Sequence, residues 1–500
     1  MPILILFAAF LSYLAFPNYF ISTGCWPLGW CGLVFLFSPL ENKDFWQRGL
    51  IGGVYGLIFY GLLVHWFIPY SLPGYLCFVL ALSLQPVLFA IGYGYRPSRP
   101  IPEMLFVAGL WVGTECLRGL LMNGFSWGWA TSQAFEPRMI QILAWTGAGG
   151  LGFVLVAGNF CLHQYLVQRR KRALALFLFF LGGIFIIGQC RLLWEDCRRE
   201  YKPRLDILAV QPDIDFRLKK DISQLDSVIQ GVLVLTRQGL DGADQAPDLI
   251  VWPETAWPAD FRQYQNLSAR MQVMLQEAGS PLLAGVALEE EGRDYNSAVL
   301  LAPQGFILKR YDKRYLVPFS EYVPTGYPGS RILQRAVGRS RFFHPGRGAP
   351  LFELDKGRPQ EGLFHFAWGA LICSEDTLGV LYREYKRKGA GFIIVLLNDG
   401  WFARPEALRL HAQIAVMHAA ANRMPVLRVG NTGWTVFIDA LGRLHETGNI
   451  LLQEETFGHF RVWQDTKTTL YGFWGDWFCY LCLGFVIIGL VLRFKRKSTL

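Results

Sequence analysis

Apolar residues in this chain are gathered into blocks, and that division constrains the fold more than any single motif does. Residues 1 to about 192 and about 469 to 493 are nearly continuous apolar sequence, while the stretch between them has ordinary charge density. A helix needs about 20 consecutive apolar residues to cross a bilayer, and repeated runs of that kind have no place in a soluble core. A hydrophobic share of 52% with 15% aromatics also exceeds what ordinary soluble chains carry. The 500 residues are enough for two or three domains. They are read as a membrane domain over 1–192 with about seven transmembrane helices, an aqueous domain over 205–465 and a C-terminal transmembrane helix over 470–492.

Apolar windows predict crossings at 2–16, 26–40, 48–69, 74–94, 102–121, 139–167, 173–190 and 470–492. The first lacks the basic start and small-residue cleavage site of a signal peptide, so it is expected to remain as an anchor. An even number of crossings places both termini on one side, and basic residues say which. Lys43, Arg48, Arg96, Arg99, the run Arg169-Arg170-Lys171-Arg172 and the tail residues Arg493, Lys495, Arg496 and Lys497 share the N-terminal side. Only Arg138 sits in the short loops opposite. The expectation is a multi-pass protein of a cytoplasmic membrane with its large domain outside the cytoplasm. The net charge of +9 is largely this topological signal, so no nucleic-acid partner is expected.

Of ten cysteines, only Cys197 and Cys373 belong to the outer region, and the rest lie in or beside predicted crossings. A disulfide framework is therefore not expected. No Cys or His cluster has metal-ligand spacing, so neither a metal nor another cofactor is expected.

Within the aqueous domain, β-like runs start at Leu205, Asp248, Pro281 and Ser297, end at Cys373, and resume at Phe392, Val426 and Thr435. Helical spacing fills 217–240, 260–278, 377–389 and 405–424, and a Gly- and Arg-rich loop covers 325–350. Strands that alternate with helices yet also come in pairs predict layered α/β structure with mixed sheets.

Three residues stand just past short β-like runs: Glu254 after Asp-Leu-Ile-Val-Trp-Pro, Lys313 after Phe-Ile-Leu-Lys-Arg-Tyr-Asp, and Cys373 after Gly-Ala-Leu-Ile. A thiol, a carboxylate and an amine are what a thioester-forming acyl transfer requires. The thiolate is the nucleophile, a neighbouring base releases it, and a cation holds the charge that develops. On a domain pinned to a membrane, they point to an acyl substrate that resides in lipid. By spacing alone, a buried core cysteine is an equal reading of Cys373.

Four segments add context, in this order: Trp-Pro-Glu-Thr-Ala-Trp-Pro (252–258), Tyr-Asp-Lys-Arg-Tyr-Leu-Val-Pro-Phe-Ser-Glu-Tyr-Val-Pro (311–324), Ile-Cys-Ser-Glu (372–375) and Asn-Asp-Gly-Trp-Phe (398–402). Together they resemble the nitrilase (carbon–nitrogen hydrolase) superfamily, with Glu254, Lys313 and Cys373 at the triad positions. The Pro-Phe-x-Glu-Tyr-Val-Pro stretch and the flanking apolar blocks narrow the resemblance to the apolipoprotein N-acyltransferases. Glu115-Cys-Leu-Arg118-Gly and Gly124-Phe-Ser-Trp127 extend it into the membrane part.

The resemblance implies an α-β-β-α sandwich and a two-step acyl transfer. A phospholipid is the expected donor, and the N-terminal amine of a diacylglyceryl-cysteine on an apolipoprotein the expected acceptor. The enzyme is expected to act as a monomer in a bacterial inner membrane, with its catalytic domain on the periplasmic side. It further implies that Glu321 positions Lys313 and that Glu375 orients the nucleophile's loop. Departures from the family pattern are Ser374 after the nucleophile, Pro212-Asp213 after Gln211, Lys220 for a Trp, and His418 and Ala421 for an Arg and a Glu. A membrane-anchored amidase or nitrilase, with water as acceptor, is the alternative. Trp252, Trp257, His411 and His418 are read as packing residues, Glu115 and Arg118 as a pair on one helix face, and 325–350 as a lid.

Overall fold

Among its described residues, the apolar N-terminal block contains seven α-helices: α1 (Pro2–Leu14), α2 (Val34–Leu40), α3 (Phe45–Leu63), α4 (Leu72–Tyr93), α5 (Pro100–Leu121), α6 (Leu143–Gln168) and α7 (Lys171–Asp196). This computed structural model describes residues 2–498 apart from 122–127, 198–202, 216, 244, 319, 324–341, 359–361, 403 and 446–453. Helices α4 to α7 are each long and apolar enough to cross a membrane. The stretch 26–40 is not one helix. Trp26–Trp30 forms a tight 3₁₀ turn and α2 follows with only seven residues and Pro39 inside it, since prolines and glycines interrupt the run. Gly124–Trp127 and most of the 325–350 loop lie outside the described residues.

The C-terminal block is likewise divided, into α12 (Leu470–Trp474) and α13 (Trp477–Ser498), with Gly475 between them at φ +65°. Gly147 explains how α12 docks. It sits in α6 at φ +63°, and a Cβ there would run into the ring of Tyr471. Only glycine meets both demands, so the kink in α6 is the seat for the C-terminal segment.

Twelve strands form two six-stranded sheets. The first is ordered β12-β1-β2-β3-β4-β5 and the second β11-β10-β9-β8-β7-β6. The first contains β1 (Arg204–Gln211), β2 (Leu249–Val251), β3 (Leu282–Glu290), β4 (Arg293–Leu301), β5 (Ile307–Asp312) and β12 (Thr456–Trp463). The second contains β6 (Phe352–Arg358), β7 (Gly362–Ile372), β8 (Phe392–Leu397), β9 (Val426–Gly430), β10 (Val436–Ile438) and β11 (Leu444–His445). In each sheet three parallel strands are flanked by antiparallel ones, which is the mixed arrangement the pattern implies. Strand β12 has no counterpart in the sequence reading. It pairs antiparallel with β1 along the whole of that strand.

Alternation along the strands assigns the layers. Leu205, Ile207 and Ala209 face the second sheet and meet Trp368, Ile372, Ile394 and Leu427. Leu208 and Val210 face outward against α8 (Leu225–Asp241) and α9 (Gln265–Ala278). On the far side, Leu371, Ile393 and Val395 pack under α10 (Gly379–Arg387) and α11 (Pro405–Asn422). The result is an α-β-β-α sandwich.

Helix α11 is buried on every side because its outer face packs on α6. One continuous hydrophobic core therefore runs from the membrane helices into the sandwich. Ion pairs reinforce the seam. Arg423 bridges Glu195 at the end of α7 and Asp465 after β12, at 2.8 Å each, and Arg443 pairs with Asp196 and Asp439.

Candidate active site

Strand directions bring Glu254, Lys313 and Cys373 to one rim. Parallel β2 and β3 run the same way, and two antiparallel steps through β4 return β5 to that direction. Glu254, just past β2, and Lys313, directly after β5, thus leave the same edge of the first sheet. Cys373 leaves the second sheet directly after β7.

Both Glu254 and Cys373 sit at tight backbone turns. Cys373 has φ +51° and Thr255, next to Glu254, has φ +47°, conformations that cost roughly 1–3 kcal/mol each and persist only where the surroundings impose them. Gly285 on β3 is part of that imposition. A Cβ on it would overlap Pro253 O and Glu254 Cα, so the Glu254 turn crosses β3 through the space of a missing side chain.

Lys313 Nζ lies 2.9 Å from Glu321 Oε1 and 3.5 Å from Glu254 Oε1. Asn296, on β4, donates from Nδ2 to Glu254 at 2.7 Å and to Glu321 at 3.2 Å. Glu321 is held in turn by the Val317 amide at 2.7 Å. Glu375 Oε1 accepts from Tyr311 Oη and from the amides of Arg314 and Tyr315, while its Oε2 accepts from the Ile372 amide. It therefore fastens the Lys313 loop to the turn that carries Cys373.

Asn296 and Lys219 belong to this constellation although the sequence reading passed over both. Asn296 lies in the polar first half of β4, beside Arg293, Asp294 and Ser297, so nothing in the sequence distinguishes it. Lys219 stands among charged neighbours at the start of 217–240, the stretch read as helical, yet its Nζ donates to the Glu254 carbonyl at 3.2 Å. Burial pulls its pKa down to about 7, against the attraction of Glu254.

The charges are arranged for proton transfer. Burial raises the Glu254 carboxyl, Lys313 lowers it and Glu321 raises it again, for a net upward shift. Burial also lifts the Cys373 thiol well above its ordinary range, assisted by the negative charge of Glu254 and opposed by Lys313. Burial works against the Lys313 ammonium, but Glu321 and Glu254 outweigh it and the amine stays charged. A protonated thiol beside an elevated carboxylate favours deprotonation during attack over a preformed thiolate.

Trp252 and Trp257 are fully buried behind this rim, Trp252 donating to Thr236 Oγ1. Glu115 accepts from the indole of Trp111 and the amide of Trp129, and Arg118 donates to Tyr60. Both groups lie within the membrane helices. At the seam with the sandwich, Trp66 packs edge-on against Phe402 at 4.8 Å, and His65 lies 3.4 Å from Glu406. Among the described residues, no cluster of three or more His, Cys, Asp or Glu side chains could hold a metal ion.

A thiol, a carboxylate and an ammonium on one rim of an α-β-β-α sandwich define the carbon–nitrogen hydrolase class, and the Carbon-nitrogen hydrolase family model matches residues 209–459. The model of the apolipoprotein N-acyltransferase N-terminal domain matches residues 8–161. An apolipoprotein N-acyltransferase of Geobacter metallireducens is 30% identical, with 97% of this chain and 94% of that protein covered. One from Thermotoga maritima is 25% identical over 98% and 93% respectively. The chain belongs to the apolipoprotein N-acyltransferase family. Among solved structures, a carbon-nitrogen hydrolase from Helicobacter pylori G27 matches 52% of this chain and 89% of its own, at 16% identity and a TM-score of 0.37.

Proposed function

We propose that this protein transfers a fatty acyl chain from a phospholipid to the N-terminal amine of a diacylglyceryl-cysteine on apolipoproteins, through a thioester on Cys373. In the first step Cys373 Sγ attacks the ester carbonyl while Glu254 takes its proton. Lys313 holds the oxyanion of the tetrahedral intermediate. Collapse breaks the ester C–O bond, and Glu254 returns the proton to the departing lysophospholipid. In the second step the neutral amine attacks the thioester. Glu254 takes the amine proton and passes it to Sγ as the C–S bond breaks. Splitting the exchange in two lets one site handle an ester and then an amide. Glu321 and Asn296 keep Lys313 and Glu254 in register, and Glu375 keeps the nucleophile's turn in place.

The observation that carries this reading is family membership over nearly the whole chain, joined to a rim bearing a thiol, a carboxylate and an ammonium. The seam supports a lipid donor: membrane residues His65 and Trp66 reach the segment that follows Asn398. The working chain is a monomer in the cytoplasmic membrane with its sandwich on the periplasmic side, in keeping with the distribution of Lys and Arg. Water as acceptor, the amidase reading, is not favoured, because residues 8–161 match a domain of N-acyltransferases.

The test is the intact mass of the purified protein after incubation with phospholipid, before and after neutral hydroxylamine, beside Cys373→Ala. The expected result is a hydroxylamine-labile acyl adduct that requires Cys373 and discharges onto a lipopeptide amine. An adduct that discharges only to water favours the hydrolase. No adduct from any phospholipid, or turnover by Cys373→Ala, overturns the mechanism.

A further inference from the structure

Directly behind the nucleophile lies a closed set of buried charges that the two-step reaction does not use. His411, on α11, stands between two aspartates. Its Nε2 is 2.6 Å from Asp376 Oδ1, and its Nδ1 is 3.1 Å from Asp399 Oδ1. Arg428, on β9, approaches the same pair, with Nε 3.1 Å from Asp376 and Nη2 3.7 Å from Asp399. Asp376, Asp399 and Arg428 have no exposure to solvent, and His411 has 5%.

The two aspartates come from the two turns that border the site. Asp376 is three residues past Cys373 in the turn Cys373–Thr377, and Asp399 lies in the turn Asp399–Trp401 that follows β8. Buried carboxylates without counter-charges are too costly to retain, so two anions demand two cations here. Arg428 supplies one and an imidazolium at His411 the other. Burial opposes the charge on His411, but Asp376 and Asp399 raise its pKa to about 9, so the set is neutral at pH 7. Besides these groups, the Phe402 ring faces His411, while His418 and Tyr382 lie near Asp376. The Cys373 thiol in turn feels Glu254, Lys313, Asp399 and Glu321.

We propose that His411 is a positioning residue for acyl transfer: as an imidazolium clamped between Asp376 and Asp399, it joins the nucleophile's turn to the turn after β8 and cancels the negative charge that Asp399 presents to Cys373. The inference rests on the thioester reading for its purpose, but not for its test. It separates two roles that a conventional packing histidine would not have, namely tying two loops and setting the charge beside a thiol.

The test is the rate at which iodoacetamide alkylates Cys373 in the full-length chain at pH 7.5, followed on the Cys373 peptide by mass spectrometry. This readout needs no acyl donor. Alkylation of a largely protonated thiol falls about tenfold per unit rise in its pKa. His411→Asn uncovers one anion and is expected to slow alkylation by about tenfold. Asp399→Asn removes an anion while Asp376 keeps His411 charged, so it is expected to speed alkylation by a similar factor. The double variant should return to within about threefold of the parent. The rate of acyl adduct formation should follow the same order, with KM for phospholipid unchanged.

An unchanged rate in His411→Asn, or a double variant slower than either single one, overturns the proposal. Unfolding would expose Cys373 and speed its alkylation, so slowing in His411→Asn cannot come from a misfolded chain; Asp399→Asn, checked for a thermal-unfolding midpoint close to the parent's, decides the matter if His411→Asn fails to fold. Retention of the alkylation pattern without any acyl adduct would instead count against the transferase reading alone.

Discussion

Glu321→Gln removes a like charge from beside the proposed base. The carboxylates of Glu254 and Glu321 both accept from Asn296 Nδ2, at 2.7 and 3.2 Å, so the two oxygens lie within about 6 Å of each other. At that separation, with an effective dielectric constant of about 20, two unit charges repel by roughly 3 kcal/mol. That corresponds to about two pH units in Glu254 before Lys313 is counted. Lys313, 2.9 Å from Glu321 and 3.5 Å from Glu254, screens part of this and turns more fully to Glu254 once Glu321 is neutral.

Glu321 raises the Glu254 carboxyl, so its neutralisation must lower it. The acid limb of single-turnover acylation should therefore move to lower pH by about one unit. A weaker base also removes the Cys373 proton less readily, so the plateau rate should fall by up to about tenfold. The assay is formation of the acyl adduct on the intact protein, sampled by quench between pH 4 and 8. An acid limb that stays in place, or moves upward, would refute the assignment of Glu254 as the titrating base.

Gly285→Ala sets a methyl group against Pro253 O and Glu254 Cα; it should cost about 1–3 kcal/mol in stability and at least tenfold in adduct formation, read by thermal unfolding and intact mass. Arg423→Met removes the guanidinium shared by Glu195 and Asp465 and leaves Glu195 with Lys467 at 3.7 Å, which should destabilise by about 3 kcal/mol, the lower end for a broken buried pair, and lower the unfolding midpoint in detergent. His411 has a pKa raised to about 9 from an ordinary 6.5. Its contribution, roughly 3 kcal/mol, should be complete below about pH 6.5 and disappear as pH rises through about 9. A thermal-unfolding series across that range should lose this dependence in His411→Asn.

Much of the site was legible because its chemistry sits at strand ends. Glu254, Lys313 and Cys373 each follow a β-like run, and Glu321 and Glu375 lie in the same short segments. Asn296 was harder, since it is one of several polar residues in the first half of β4, and its importance depends on where β4 lies relative to β2. Lys219 was concealed by its charged neighbours: nothing in Arg-Leu-Lys-Lys says which amine turns inward. His411 was visible as a helical residue read as packing, but its two aspartate partners come from separate turns and meet it only in the folded protein. Among the elements, β6 and β12 carry alternation diluted by charge, and the partner of β12 lies at the other end of the domain. The breaks at 26–40 and Gly475 arise where proline and glycine interrupt apolar runs that hydropathy alone treats as continuous.

Strand β12 also sets an order of events during synthesis. Its partner, β1, is the first strand of the sandwich to be made, and β12 is the last. Until residues 456–463 emerge, the outer edge of β1 remains an open row of amides and carbonyls, the kind of edge that invites mispairing. The next helices to appear are α12, which seats on Gly147, and α13, which completes the apolar C-terminal block. Closing the sheet and seating the segment that follows it therefore fall together, late in synthesis. A nascent chain that stalls before residue 456 would carry a nearly finished sandwich with an unguarded edge, an apt substrate for quality-control proteases.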